Sequence, residues 1–134
     1  QPIVHAAIEY LGDKVKGRID VILPIPPSNP KRTVTSQIAE GLADGLRVGL
    51  SRTALTKSKS SNELKSVTDP EERRRLLEGA FSADKQQLKG KSVLLVDDIY
   101  RSGATLSAAT EVVTDQGKAK VVYVLAITRT RVNR

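Results

Sequence analysis

Residues 93–97, Val-Leu-Leu-Val-Asp, are a continuous apolar run ending on an acid. The run is too short for a helix and lacks polar alternation, so it reads as a strand buried on both faces, the signature of a parallel sheet covered by helices. The next segment, GATLSAATEVVTDQG, sets Leu106, Ala109 and Val113 on one helical face and reaches Gly117, the expected C-terminal stop. A second fully buried strand, VVYVLAI, is expected to follow. Strand, helix and strand in this order form a β–α–β unit, which requires parallel pairing.

The rest of the chain keeps that rhythm. Residues 2–11 place Ile3, Ala7 and Leu11 at helical spacing, with Pro2 in the first turn and Gly12 as the stop. Ile19 to Leu23 reads as a strand, cut off by Pro24, Pro26 and Pro27. Residues 33–48 put Val34, Ile38, Leu42 and Leu46 on one face of an amphipathic helix that closes near Gly49. A brief strand is expected around Thr53 to Lys57, followed by the polar, aperiodic stretch KSKSSNELKSVTD, which reads as a loop. Order returns at Asp69-Pro70-Glu71-Glu72, where Asp69 suits an N-cap, Pro70 the first helical position and Glu72 the returning carboxylate of a capping box. This short helix runs through Leu76 and Leu77 to Gly79. The expected fold is therefore α/β, an open parallel sheet flanked by helices.

With 134 residues, the chain is sized for one domain spanning 1–134. The absence of cysteine excludes disulfides, a thiol nucleophile and a thiolate zinc site, and a lone His5 excludes a His-rich metal centre. No apolar run approaches the roughly 18 residues of a membrane span. No charged-then-apolar leader precedes the fold, so the cytoplasm is the expected location. The sequence lacks methionine even at position 1, which suggests a processed chain or part of a longer protein. A net charge of +7 calls for an anionic partner, a phosphate-bearing metabolite or nucleic acid. Aromatic residues, only 3 % of the chain, supply few stacking platforms for single strands.

Chemistry concentrates in VLLVDDIYRSGATL. The buried strand delivers Asp97 and Asp98 to its C-terminal edge, and the turn Arg101-Ser102-Gly103-Ala104-Thr105 opens the next helix. Successive amides in such a turn cradle a phosphate, aided by the helix dipole. Gly103 allows close approach, while Ser102 and Thr105 add hydroxyl donors. The two acids suit sugar hydroxyls or a hydrated Mg²⁺. Phosphate and polyol side by side indicate a sugar phosphate.

This string resembles the phosphoribosyl-pyrophosphate (PRPP) motif of type I phosphoribosyltransferases, four apolar residues, two acids, two further positions and a Thr/Ser-Gly-x-Thr loop. Within that superfamily the chain is most similar to the ComF-type competence-protein family. Pro24-Ile25-Pro26 matches its strand-ending Pro-x-Pro, Gln37 matches a helix glutamine, and Arg73 through Gly79-Ala80-Phe81 matches its basic helix and Gly-Ala-Phe. The resemblance implies binding of Mg·PRPP and transfer of ribosyl 5-phosphate, with release of pyrophosphate, to a nucleophile it does not identify. Asp97 and Asp98 would bind ribose hydroxyls, directly or with Mg²⁺, and residues 101–105 the 5′-phosphate. The pyrophosphate loop would fall at Ile25, Ser28 and Asn29, since the intervening prolines lack N–H groups. Lys57, Lys59, Lys65, Arg73, Arg74 and Arg75 surround a loop that folds over PRPP in the superfamily. Two positions depart from the pattern. Arg101 stands where the family has Thr and purine-salvage enzymes have Asp, and Leu76 stands where Asn is expected. The alternative implied is a non-catalytic PRPP- or nucleotide-binding module of a DNA-handling protein, a competence factor or the C-terminal domain of a helicase. It would contact DNA through basic residues and form oligomers in some settings.

Overall fold

The computed structural model describes residues 18–26, 34–57, 68–100 and 104–129. Strand β1 (Val21–Pro24) is followed by helix α1 (Val34–Leu46), strands β2 (Gly49–Leu50) and β3 (Leu55–Lys57), and helix α2 (Pro70–Ala80). Strand β4 (Phe81–Ala83), the four-residue helix α3 (Lys85–Leu88), strand β5 (Ser92–Tyr100), helix α4 (Ala104–Asp115) and strand β6 (Val121–Arg129) complete the order. The main sheet runs β2-β1-β5-β6 with every pair parallel, and β3 and β4 form a separate antiparallel ribbon. The expected α/β fold, an open parallel sheet flanked by helices, is the one observed. The helix expected over residues 2–11 lies outside the described residues.

Strand β5 holds the two halves of the core together. Alternation along a strand sends Val93 and Leu95 to one face and Leu94 and Val96 to the other, and all four are essentially fully buried. Val93 and Leu95 pack with Leu23, Phe81, Leu88 and the α4 residues Leu106, Ala109, Val112 and Val113. Leu94 and Val96 pack with Ile22 and the α1 residues Ile38, Ala39, Leu42 and Ala43. The second apolar run behaves differently. Strand β6 is an outer strand of the sheet among the described residues, and Val121 (37 %) and Val124 (45 %) remain exposed. A continuous apolar run does not distinguish a central strand from an edge strand, because that depends on partners supplied elsewhere in the chain.

Both helix ends depart from the expected glycine stops. The positive backbone angles after α1 and α4 belong to Arg47 (φ 58°) and Lys118 (φ 57°), not to Gly49 or Gly117. Gly117 serves close approach instead. A Cβ placed there would meet the Val113 carbonyl oxygen at 2.6 Å and Leu88 Cδ1 at 2.8 Å. A backbone carbonyl inside a helix cannot move aside, so Gly117→Ala is expected to destabilise the domain by about 1–3 kcal/mol. A denaturant midpoint equal to that of the wild type would contradict this packing.

The basic helix begins as expected, with the Glu72 amide donating to the Asp69 carboxylate at 3.4 Å and Pro70 as its first residue. Strand β3 falls at the brief strand expected around Thr53 to Lys57, but its partner β4 and helix α3 were not legible in advance. A polar cluster ties them to the sheet: Ser51 Oγ donates to Gln87 Oε1 (2.7 Å), while Gln87 Nε2 donates to Asp84 (2.9 Å) and Thr53 Oγ1 (3.1 Å). The Asp84 carboxylate also caps α3 by accepting from the Gln86 amide.

Candidate functional site

The acidic segment lies where the sheet loses a strand. β1 pairs with β5 only as far as Pro24 against Val96, and the Ile25 amide then donates to the Val96 carbonyl at 2.8 Å. Asp97 is the next residue, one step past the last β1 rung, half-buried and still paired with Ala126 of β6. The strand does not end at the acids. It continues through Asp98 to Tyr100, paired with Arg129, so both acids sit within β5 rather than beyond it. β6 runs alongside for the same length and supplies the hydrogen-bonding partner that prolongs the strand.

Helix α4 begins at Ala104, so three residues, 101–103, connect it to β5. Ala104 and Thr105 form its first turn, where backbone amides have no intrahelical acceptor and the dipole favours an anion. Thr105 is half-buried. Arg101, Ser102 and Gly103 lie outside the described residues, as do Ser28 and Asn29. Of the pyrophosphate-loop positions, only Ile25 is described. Its side chain is buried and its amide already donates to the Val96 carbonyl, so that N–H is not open to a pyrophosphate.

Lys57 joins the acidic segment through the ribbon. It pairs with Phe81 in the β3–β4 register, and its Nζ lies 5.6 Å from the centroid of the Phe81 ring. A cation over an aromatic face is favourable, more so when partly withdrawn from water. Burial holds the Lys57 ammonium below its ordinary pKa, and the negative charge of Asp97 works in the opposite direction. The sequence marks Lys57 only as one of several cations near a polar loop. Its approach to Asp97 depends on an antiparallel ribbon between residues far apart in the chain, which no local pattern signals.

Mg²⁺ accompanies the reaction implied by the motif. Among the described residues, no group of three or more His, Cys, Asp or Glu side chains gathers to cage an ion. A hydrated Mg²⁺ is nevertheless held through as few as one or two acids and leaves its other positions to water and phosphate oxygens, and the half-buried Asp97 is a carboxylate of that kind.

An acid-bearing strand, a three-residue connection and a helix N-terminus at the carboxyl edge of a parallel sheet is the layout with which open α/β domains take phosphorylated ligands. Residues 3–131 match the phosphoribosyl transferase domain family, and the chain belongs to that family. Among solved structures, adenine phosphoribosyltransferase from Saccharomyces cerevisiae is similar at 19 % identity, with a TM-score of 0.62, over 96 % of this chain and 66 % of that one. A hypoxanthine phosphoribosyltransferase from Staphylococcus aureus is similar at 16 % identity and a TM-score of 0.58, over 98 % and 67 %. Glutamine PRPP amidotransferase from B. subtilis is similar at 20 % identity and a TM-score of 0.53, over 90 % of this chain and 26 % of its own. The chain thus spans about two thirds of the first two structures and a quarter of the third. No curated protein matches the sequence. No helix among the described residues is long and apolar enough to cross a membrane.

Proposed function

We propose that this domain binds Mg·PRPP along residues 97–105 and transfers its ribosyl 5-phosphate to a nucleophile, releasing pyrophosphate. The observation that carries the reading is Asp97, half-buried on β5 one step past the last β1 rung, with residues 98–103 between it and the α4 N-terminus at Ala104. Asp97 and Asp98 take the ribose hydroxyls and the waters of Mg²⁺, and the amides and hydroxyls of residues 101–105 take the 5′-phosphate. In the transfer, the bond from the anomeric carbon to pyrophosphate breaks, the nucleophile bonds to that carbon, and the nucleophile's proton leaves to solvent. Mg²⁺ supplies charge neutralisation on the departing pyrophosphate. Lys57 adds positive charge from the ribbon. Family membership and the three structural likenesses support this reading. The similarity to ComF-type sequences is part of the same proposal, resting on Pro24-Ile25-Pro26, Gln37 and Gly79-Ala80-Phe81.

Calorimetric titration of PRPP with and without Mg²⁺ tests it. Binding that strengthens with Mg²⁺ is expected, and no binding in either condition overturns it. Binding without pyrophosphate release in the presence of nucleobases favours the non-catalytic nucleotide-binding module over the transferase.

Arg101 gives a sharper test at the mouth of the loop. Arginine stays protonated at any working pH and cannot act as a base, so it replaces proton handling with a phosphate contact. Arg101→Ala is expected to weaken ribose 5-phosphate binding by about tenfold to a hundredfold, the size of a lost charge-assisted hydrogen bond. Arg101→Asp is expected to abolish binding without creating purine transfer. Unchanged affinity in the Ala variant, measured by calorimetry, removes Arg101 from the phosphate site.

A further inference from the structure

Lysines mostly stay in water, yet Lys57 is half-buried, with its Nζ 5.6 Å from the centroid of the Phe81 ring. Alternation in two strands explains its placement. In the ribbon, Lys57 lies two residues after Leu55 and across from Phe81, and both of those belong to the core cluster that contains Val93 and Leu95. Lys57 therefore projects from β3 on the core side. On β5, Asp97 lies two residues after Leu95, and its β6 partner, Ala126, packs against the same cluster. Asp97 therefore projects to the side of the sheet that the ribbon covers. Each strand sets its first charged group where its apolar residues end, and the two groups meet at the rim of one core. Burial depresses the Lys57 pKa, and the charge of Asp97 opposes that depression.

A half-buried carboxylate without a counter-charge attracts any divalent cation, and a half-buried ammonium without one is costly to keep charged. Side by side, each compensates the other. We infer that Lys57 is the resident counter-cation of Asp97, which keeps free divalent metal off the acidic segment and passes its own charge to polyphosphate when metal and polyphosphate arrive together. A divalent ion approaching alone meets a carboxylate already neutralised and is repelled by the ammonium beside it. An ion carried by a polyphosphate comes with anionic oxygens to which Lys57 turns, so the exchange leaves no charge unpaired. The flexible four-carbon stem permits that turn without moving β3, and the three-donor head pairs with phosphate oxygens as it does with a carboxylate. The counter-cation stands on the two strands alone, whereas the handover to polyphosphate rests on the PRPP reading.

Mn²⁺, an oxygen-seeking stand-in for Mg²⁺ whose free form is counted by electron paramagnetic resonance, tests the first part without any phosphate present. Lys57→Met keeps a packed stem and removes the charge. It is expected to bind Mn²⁺ at least about tenfold more tightly than the wild type, as removal of a like charge a few ångströms away requires. A gain of binding cannot come from a damaged fold. Adding Asp97→Asn should erase the gain, as coupled residues do in a double-mutant cycle. Lys57→Arg keeps the charge and should stay at the wild-type value. Lys91→Gln, at the other end of β5 and about 20 Å from Asp97, controls for net charge and should stay there too. For the second part, PRPP is titrated in the presence of a chelator, and Lys57→Met should bind it about tenfold more weakly than the wild type. Mn²⁺ binding that does not rise in Lys57→Met, a gain that survives Asp97→Asn, or an equal gain in Lys91→Gln overturns the counter-cation. Unchanged affinity for metal-free PRPP overturns the handover. A wild type that binds no PRPP, with the Mn²⁺ gain present, is a failure of the PRPP reading and upholds Lys57 as the counter-cation of Asp97.

Discussion

Asp97→Asn combined with Asp98→Asn is expected to lower PRPP affinity at least a hundredfold while leaving inorganic phosphate binding within a few-fold. Each carboxylate is assigned hydrogen bonds from ribose hydroxyls or Mg²⁺-bound waters. Hydrogen bonds to a charged group are worth about 1.5–3 kcal/mol apiece, or roughly tenfold to a hundredfold in affinity. Asparagine keeps the shape of the side chain but loses the charge and one acceptor. Inorganic phosphate has no ribose and needs only the amides and hydroxyls of residues 101–105, so it does not sense the change beyond a small gain from reduced repulsion. Parallel calorimetry of the two ligands on wild type and variant gives the answer. Equal losses for PRPP and phosphate would show that the acids shape the loop rather than hold the sugar.

The largest expected effect on stability comes from Phe81→Ala. Phe81 is the bulkiest of the fully buried side chains, at 1 % exposure, and packs with Leu23, Leu88, Val93 and the apolar face of α4. Truncating a buried phenylalanine costs about 3–5 kcal/mol, through lost burial and the cavity left behind. That is a large share of the roughly 5–15 kcal/mol that holds a domain folded. Phe81 also carries the ring beneath the Lys57 ammonium, so the same substitution frees the cation beside Asp97. Urea unfolding should show the loss as a lower midpoint at an unchanged slope, with Phe81→Leu recovering most of it. A loss below about 1 kcal/mol would place Phe81 outside the core.

The parts of the fold legible in the sequence were those governed by local periodicity. Helices α1, α2 and α4 and strands β1 and β5 fall within a few residues of their expected positions, because their apolar spacing and their start signals lie within each segment. The parts that were not legible depend on distant partners. Strand β3 was expected, but Ser82 carries no sign that Thr56 will lie opposite it, so the pairing was invisible and the Phe81 motif could be read only as part of a helix end. The exposure of Val124 goes with a β6 that has no further strand beside it among the described residues. Gly117 looked like a conformational stop and proved to be a contact with Val113 and Leu88. At the site, the placement of Asp97 and Asp98 on β5 ahead of the α4 N-terminus was legible from one segment. The engagement of the Ile25 amide by Val96 and the approach of Lys57 to Asp97 were not, since each crosses between elements far apart in the chain.

The strand order β2-β1-β5-β6 bears on how the chain emerges during synthesis. The Asp20 carboxylate meets its Ser92 partner across 72 positions, and β1 has only two rungs with β2 to hold it until then. Until β5 is made, the nascent chain therefore carries Ile22 and Leu23 with one of their two flanking strands missing. Closure of so long a segment is slow relative to local helix formation. Translation has to deliver the whole segment between β1 and β5 before that central strand arrives. In that interval the exposed β1 edge is open to wrong partners, and a cell making this protein quickly stands to gain from a chaperone that shields it.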